Sequence, residues 1–329
     1  MPAPVQITPW HWVGFVAVII IFLALDLGLF HRRARVVKFI EALGWTAMWA
    51  ALALLFGAAL IPLRGRHEAV QFFTGYLLEL SLSVDNVFVI VLVFTYFRVA
   101  AEFQHRVLLW GVLGALLMRG LMIGLGVALI DRFDWLLYVF GAFLVVSGLK
   151  MLAQKSGDAD PGKSLIVRAA RRLLPISADF DGEKFFTLAN GRRMLTPLML
   201  VLLVVETSDL LFAVDSIPAV FGVTRVPFIV FTSNVFAILG LRSLYFVIAG
   251  AIGLFRHLKV GISLVLVFIG VKMLIDPHGH PPRWFQWDMP DSLALVCVVG
   301  IVALSIAASM IATAREKNAD GGKPTAPAS

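Results

Sequence analysis

Residues 72–90 read FFTGYLLELSLSVDNVFVI, and residues 206–223 read ETSDLLFAVDSIPAVFGV. Both stretches are apolar enough for a bilayer, yet the first carries Glu79 and Asp85 and the second Glu206, Asp209 and Asp215. Glu79-Leu-Ser-Leu-Ser-Val-Asp85-Asn86 is echoed by Asp209-Leu-Leu-Phe-Ala-Val-Asp215-Ser216, with acid and Val-Asp at the same spacing. Working outward, LGALLMRGL around Arg119 matches FAILGLRSL around Arg242, and VVSGLKML around Lys150 matches VFIGVKML around Lys272. The Arg-to-Lys intervals are 31 residues (150 − 119) and 30 residues (272 − 242). Each copy takes in three apolar blocks, over 70–153 and 195–275. An odd number of crossings leaves the chain on the opposite side, so the second copy enters the membrane inverted. A 3+3 inverted-topology repeat is the mark of secondary transporters, whose substrate site lies near the midplane between the copies.

The composition agrees. Of 329 residues, 60% are hydrophobic and 15% charged, where a soluble domain is nearer half and a quarter. The apolar blocks are about twenty residues long, the length a helix needs to cross ~30 Å of hydrocarbon. A secreted disulfide scaffold, a nucleic-acid-binding domain and a soluble enzyme are excluded, and the single Cys297 excludes a thiolate metal site. The fold expected is an all-α polytopic membrane protein with nine spans, at 10–30, 43–62, 70–97, 106–130, 133–153, 195–221, 227–250, 257–275 and 291–313. The net charge of +7 resides in loops, where it sets topology. With the N-terminus outside, 20 Lys and Arg fall on the inner side and five on the outer, so N-out/C-in is expected. The organisation read is two leading helices (10–62), repeat 1 (70–153), a cytoplasmic loop (154–193), repeat 2 (195–275), a last helix (291–313) and a disordered cytoplasmic tail (314–329). In the loop, Lys163–Leu174 alternates basic and apolar residues like an interfacial helix, and Asp181-Gly182 and Asn190-Gly191 bracket a β-prone stretch that suits a hairpin.

Ionisable groups inside spans cost ~2.5–3.5 kcal/mol each on insertion scales. Here the spans hold Asp26, Glu79, Asp85, Glu206, Asp209 and Asp215 against Arg119, Arg242 and Lys272, six negative and three positive charges that sum to −3. Internal pairing leaves an acid surplus, which a divalent cation together with a proton can neutralise; protonation of several acids is the alternative. The polar neighbours are Asn86, Ser81, Ser83, Thr207, Ser208, Ser216, Thr232, Ser233 and Asn234, all oxygen donors. Such sites suit Mn²⁺, Mg²⁺ or Ca²⁺ over Zn²⁺ or Cu⁺. The candidate cation ligands are therefore Asp85, Asp215, Glu79, Asn86, Glu206, Asp209 and Ser216. Asp26, Arg119, Arg242 and Asn234 are candidates for an ion or proton path or for counter-ions, with the two arginines read first as structural counter-ions.

Helix geometry limits how these acids can meet. Positions six apart on an α-helix differ by ~240° in direction and ~9 Å in height, so Glu79 and Asp85, or Asp209 and Asp215, cannot hold one ion on an unbroken helix. Pro218 removes an N–H and crowds the Val214 carbonyl, which predicts a break or kink near 214–218. Lys150 and Lys272 sit at span ends where they can snorkel. His278 and His280, in PHGHPPR, read as ordinary loop residues.

These residues resemble the TerC family of integral membrane proteins, including its Alx-type members. The similarity is carried by LALDLGLFH (residues 23–31), FFTGYLLELSLSVDNVFV (72–89), FDWLLYVFGAFL (133–144), ETSDLLFAVDSIPAVFGVT (206–224) and PFIVFTSNVFAILGLRSLYF (227–246). Leu80 stands where a Lys is expected after the Glu, and Val226 where an acid often precedes Pro227. The resemblance implies a bacterial inner-membrane protein associated with manganese export and, historically, with tellurite resistance. The expected function is export of a hard divalent cation, Mn²⁺ by family resemblance, in exchange for protons, with no tightly bound cofactor and no nucleic-acid partner. Lipids surround the chain, and homo-oligomer or membrane-protein partners are left open. The alternative is a membrane scaffold of metal-stress resistance that aids metal delivery to exported proteins. Glycine-rich phosphate loops, HExxH and GxSxG are absent, so neither direct ATP coupling nor an enzyme is expected.

Overall fold

The computed structural model describes residues 7–30, 39–153, 172, 175–177, 179–189, 192–250, 258–276, 286–287 and 289–320, with the side chains of 25–30, 189, 192 and 314–320 outside the description. Among these residues are nine helices: α1 (Pro9–Phe30), α2 (Phe39–Arg64), α3 (Arg66–Tyr96), α4 (Ala101–Arg132), α5 (Leu136–Ala153), α6 (Pro197–Phe221), α7 (Pro227–Gly250), α8 (Leu258–Ile275) and α9 (Asp291–Asp320). Eight of them, α2 to α9, are long and apolar enough to cross a membrane, while α1 is apolar over the shorter stretch Pro9–Ala24. The chain is an all-α polytopic membrane protein.

Local chemistry sets the ends of several helices. Gly65, at φ 94°, makes the turn between α2 and α3, a conformation that side chains with a Cβ rarely adopt. Thr196 precedes Pro197 at the start of α6, where a proline costs no helical hydrogen bond. Two expectations are corrected. α6 runs unbroken through 214–218, because Pro218 lies in its last turn and forfeits only the bond to Val214; the Gly222 N–H then caps the Pro218 carbonyl at 3.0 Å. α9 continues to Asp320 rather than ending at 313, since ATAREKNAD is rich in good helix formers. A two-stranded antiparallel hairpin, β1 (Phe186–Ala189) and β2 (Arg192–Leu195), precedes α6 with Phe186 opposite Leu195. The interfacial helix read over 163–174, but for Arg172, and also His278 and His280 lie outside the described residues.

Helix pairings follow the internal repeat. Exchanging α3 with α6, α4 with α7 and α5 with α8 turns the α3–α7 contact into the α6–α4 contact, and both occur. The α5–α8 pair maps onto itself and is the most extensive interface. Its backbones touch: a Cβ on Gly141 would lie 3.0 Å from the Gly270 carbonyl, and one on Gly148 would lie 2.8 Å from that of Ser263. Mates in this part of the repeat are 122 apart (272 − 150), so Gly141 corresponds to Ser263 and Gly148 to Gly270. Each contact is thus the image of the other, and residue order runs oppositely along the two helices. Small residues allow this approach without a hydrophobic drive, as in other membrane helix pairs. α7 is the most enclosed helix, with every residue from Phe228 to Tyr245 buried except Phe231. α1 and α2 flank the repeats through an aromatic cluster of Phe15, Trp49, Phe72, Phe228 and Phe236.

Candidate functional site

The charged centre is built where α3, α4, α6 and α7 meet. Arg119 of α4, with 3% of its side chain exposed, donates from Nη1 to Glu79 Oε2 at 2.5 Å. Its other edge reaches Asp209 twice, Nη2 to Oδ1 at 3.0 Å and Nε to Oδ2 at 3.4 Å. Amides close the figure. Asn234 Nδ2 donates to Glu79 Oε1 at 2.7 Å, and Asn86 Nδ2 donates to Asp209 Oδ1 at 3.1 Å. The Asn234 Oδ1 in turn accepts from Arg119 Nη1 at 3.5 Å. Glu79 is 0% exposed, a burial affordable only because each of its oxygens has a donor. The two acids are repeat mates, so one guanidinium joins equivalent points of the two copies.

A cavity of about 20 Å³ opens beside Asp209 between α4 and α6. That is room for one water or a small ion and not for an organic solute. Asn86, Glu206, Ser208 and Asp209 bring polar atoms to its wall. Asn86 Oδ1 is buried without a hydrogen-bond partner among the described residues. Gly114 of α4 makes the space for Glu206: a Cβ there would collide with the Glu206 carboxylate. The wall thus offers carboxylate, amide and hydroxyl oxygens, the donor set of a hard cation.

The remaining candidates stand apart. Asp215 of α6 accepts from Ser147 Oγ of α5 at 2.9 Å and feels the charge of Lys150. Asp85 of α3 feels that of Lys259 of α8. Each mate thus faces the third helix of the other repeat. Among the described residues no group of three or more His, Cys, Asp or Glu side chains is arranged to hold a metal. The seven candidate ligands are therefore not gathered in one shell: Glu79, Asn86, Glu206 and Asp209 lie in a central tier around Arg119 and its cavity, and Asp85 and Asp215 form an outlying pair. The cause is that α3 and α6 both stay helical, so positions six apart diverge. Ser216 is buried on α6. Arg242 is buried too, but among the described contacts it joins neither Glu79 nor Asp209. The side chain of Asp26, on α1, lies outside the described residues.

Sequence reading missed three features. Gly114 was signalled only as a small residue in LGALLM, and Ser147 only as a polar residue beside Gly148. The third is a buried network around Lys272 at the end of the bundle away from the hairpin. Lys272 is no snorkelling residue: its side chain is 4% exposed and Nζ lies 2.6 Å from Asp276 Oδ2, whereas its mate Lys150 is exposed.

The sequence matches the integral membrane protein TerC family over residues 64–317. The chain belongs to the TerC family. It is 51% identical over 317 residues to an uncharacterised membrane protein of Myxococcus xanthus, covering 96% of this chain and 97% of the relative. It is 46% identical over 324 residues to Alx of Escherichia coli K12, named as a candidate membrane-bound redox modulator, covering 96% and 98% of the two chains. An uncharacterised membrane protein of Rickettsia bellii is 34% identical over 291 residues, covering 88% and 96%. No solved structure matches the chain. The acids, amides and arginine of the centre all fall inside the matched region of this TerC-family chain.

Proposed function

We propose that this TerC-family chain is a secondary transporter of a bacterial inner membrane, exporting a hard divalent cation, Mn²⁺ foremost, in exchange for protons. The observation that carries the reading is the centre itself. Glu79 and Asp209 exceed Arg119 by one negative charge, and Glu206 on the adjoining cavity adds a second. With all three acids ionised the centre lacks two positive charges, the charge of one divalent ion. Protons on the carboxylates fill the same deficit, which is the condition for exchange. Oxygen-only donors favour a hard ion, and Mn²⁺ is preferred among such ions by the family resemblance. Asp85 and Asp215, one on each copy, are suited to pass the ion to and from the centre. Rocking of one repeat against the other supplies alternating access.

The test is metal flux in proteoliposomes across a panel of Mn²⁺, Mg²⁺, Ca²⁺ and Zn²⁺, with and without a proton gradient. Mn²⁺ movement driven by the gradient is expected, and Asp85→Asn and Asp215→Asn each abolish it while the protein still inserts. Absence of flux for every ion sinks the reading.

A second reading, a scaffold aiding metal delivery, draws on the hairpin, where Phe186 and Leu188 are 58% and 74% exposed. Hairpin deletion that spares flux yet removes the cellular phenotype would favour it. The redox term in the name of Alx has no intrachain thiol couple to rest on here, because the chain has one cysteine.

A further inference from the structure

We propose that the Lys272 network is an ionic latch that holds the outer mouth of the transporter shut, and that the structure is the latched state. The inference rests on the transporter reading and adds its gating; "outer" is the end away from the hairpin, as the distribution of Lys and Arg assigns it.

The network is a tie across the two repeats. Lys272 Nζ, on α8 of repeat 2, contacts Asp276 Oδ2 at 2.6 Å, the Gly222 carbonyl at 3.3 Å and Asp291 Oδ1 at 3.9 Å. Asp291 opens α9, outside the repeats, and its Oδ2 accepts from Gln71 Nε2 of α3, in repeat 1, at 2.9 Å. Gln71 Oε1 accepts from Thr224 Oγ1, back in repeat 2, at 2.7 Å. His67 Nδ1 lies 3.4 Å from the same Asp291 oxygen. One carboxylate therefore links repeat 1 to the buried ammonium of repeat 2. The cation is almost wholly desolvated, so its oxygens are its only compensation; its bonds to Asp276 and Gly222 stay within repeat 2, and separating the repeats here breaks the Lys272–Asp291 ion pair or the Gln71–Asp291 bond together with the Gln71–Thr224 bond.

The packing below the latch is closed. On the outer half a Cβ on Gly75 would lie 3.0 Å from Ser233 Oγ across the α3–α7 seam, and one on Gly222 would lie 2.8 Å from Ile269. The image of that seam under the repeat is the α4–α6 seam on the hairpin half, which holds the cavity. The difference has a named cause: Gly111 lines the cavity where its mate, 123 residues on (242 − 119), is Asn234, which fills the α3–α7 side and bonds Glu79. Near the hairpin end a bond joining the repeats is uncharged, Tyr245 Oη to Gln104 Oε1 at 2.9 Å. The lysine there, Lys150, is exposed while Lys272 is buried. The same position thus carries a buried lysine at one end and an exposed one at the other.

The test reads access to the α3–α7 seam. Ser233, 0% exposed, is replaced by Cys in a Cys297→Ser chain, and a membrane-impermeant maleimide is applied from either face of sealed vesicles. With the latch intact, labelling from the outer face is slow. Lys272→Met and Asp291→Asn should each raise the outer-face rate by about tenfold, the effect of losing one charge-assisted bond. The exchange of both, Lys272→Asp with Asp291→Lys, should restore slow labelling. An unchanged outer-face rate in both single variants overturns the latch, as does a rise only from the hairpin face or an equal rise from both. Thermal melting of each variant separates opening from unfolding. Mn²⁺ flux by the parent chain is measured alongside: no flux refutes the transporter reading, whereas flux with latch-independent labelling refutes the latch alone.

Discussion

Arg119 is the residue on which the buried centre depends. It satisfies two carboxylates from different repeats, and its removal leaves Glu79 charged at 0% exposure. Arg119→Met should cost about 3–5 kcal/mol, the usual price of an orphaned buried charge, read as a lowered melting temperature in detergent. Gly114 acts differently. A helix interior generally gains about 0.5–1 kcal/mol when Gly becomes Ala, yet a Cβ at this position meets the Glu206 carboxylate. Gly114→Ala should therefore leave the melting temperature intact or raised while cation flux falls by about tenfold or more through misplacement of one ligand. Reduced stability with unchanged flux would remove Gly114 from the site. Arg119 was legible as a buried base near acids, because periodicity and hydropathy put it inside a span. Its actual partners were not, because spacing along a helix gives direction and height and says nothing of which neighbouring helix stands there.

Among the elements, the α5–α8 pair and the hairpin respond to different stresses. Gly148→Ala places a methyl 2.8 Å from the Ser263 carbonyl, so the helices must part. Overpacking of this kind costs about 1–3 kcal/mol; the symmetry-related Gly270→Ala, with its Cβ 2.7 Å from the Gly141 carbonyl, should cost a similar amount. Unequal costs would argue that the repeat symmetry is not energetic. The hairpin is tied to α4 through Arg106, which pairs with Glu183 at 3.2 Å and stacks on Phe185. Within it, Asp181 accepts from Thr187 Oγ1 at 2.8 Å and from Lys184, and these donors hold its carboxyl below the usual range. A depressed carboxyl contributes stability that is present above its unfolded pKa of about 3.9 and lost as pH falls through the folded value. Local order of the hairpin, followed by hydrogen exchange, should therefore be constant around neutrality and decline below about pH 4, and Asp181→Asn should abolish that acid sensitivity.

For the whole molecule, the nine apolar blocks and the odd-numbered repeat were sufficient to read the architecture, and the helices begin and end within a few residues of the expected spans except where α9 runs on to Asp320. A bilayer makes this possible, because backbone groups in hydrocarbon must be satisfied within each helix. The same rule explains the error at Pro218: breaking α6 would have exposed carbonyls without partners, and a proline one turn from the helix end removes the need. The acids were found as a set but not as two tiers. Their division follows from helix packing in three dimensions, with Glu79 and Asp209 turned toward Arg119 and Asp215 toward Ser147.

The glycine crossing of α5 and α8 has a practical consequence. Where two equivalent helices touch backbone to backbone, on the axis that relates the copies, relative motion of the repeats leaves the separation nearly constant. Spin labels or fluorophores placed on α5 and α8 at the exposed positions beside Gly141 and Gly270, Ala142 and Val271, should report one unchanging distance however the repeats move. Pairs placed toward the helix ends would report the swing. The protein thus carries its own calibration mark, against which the amplitude of each conformational step can be measured within a single molecule.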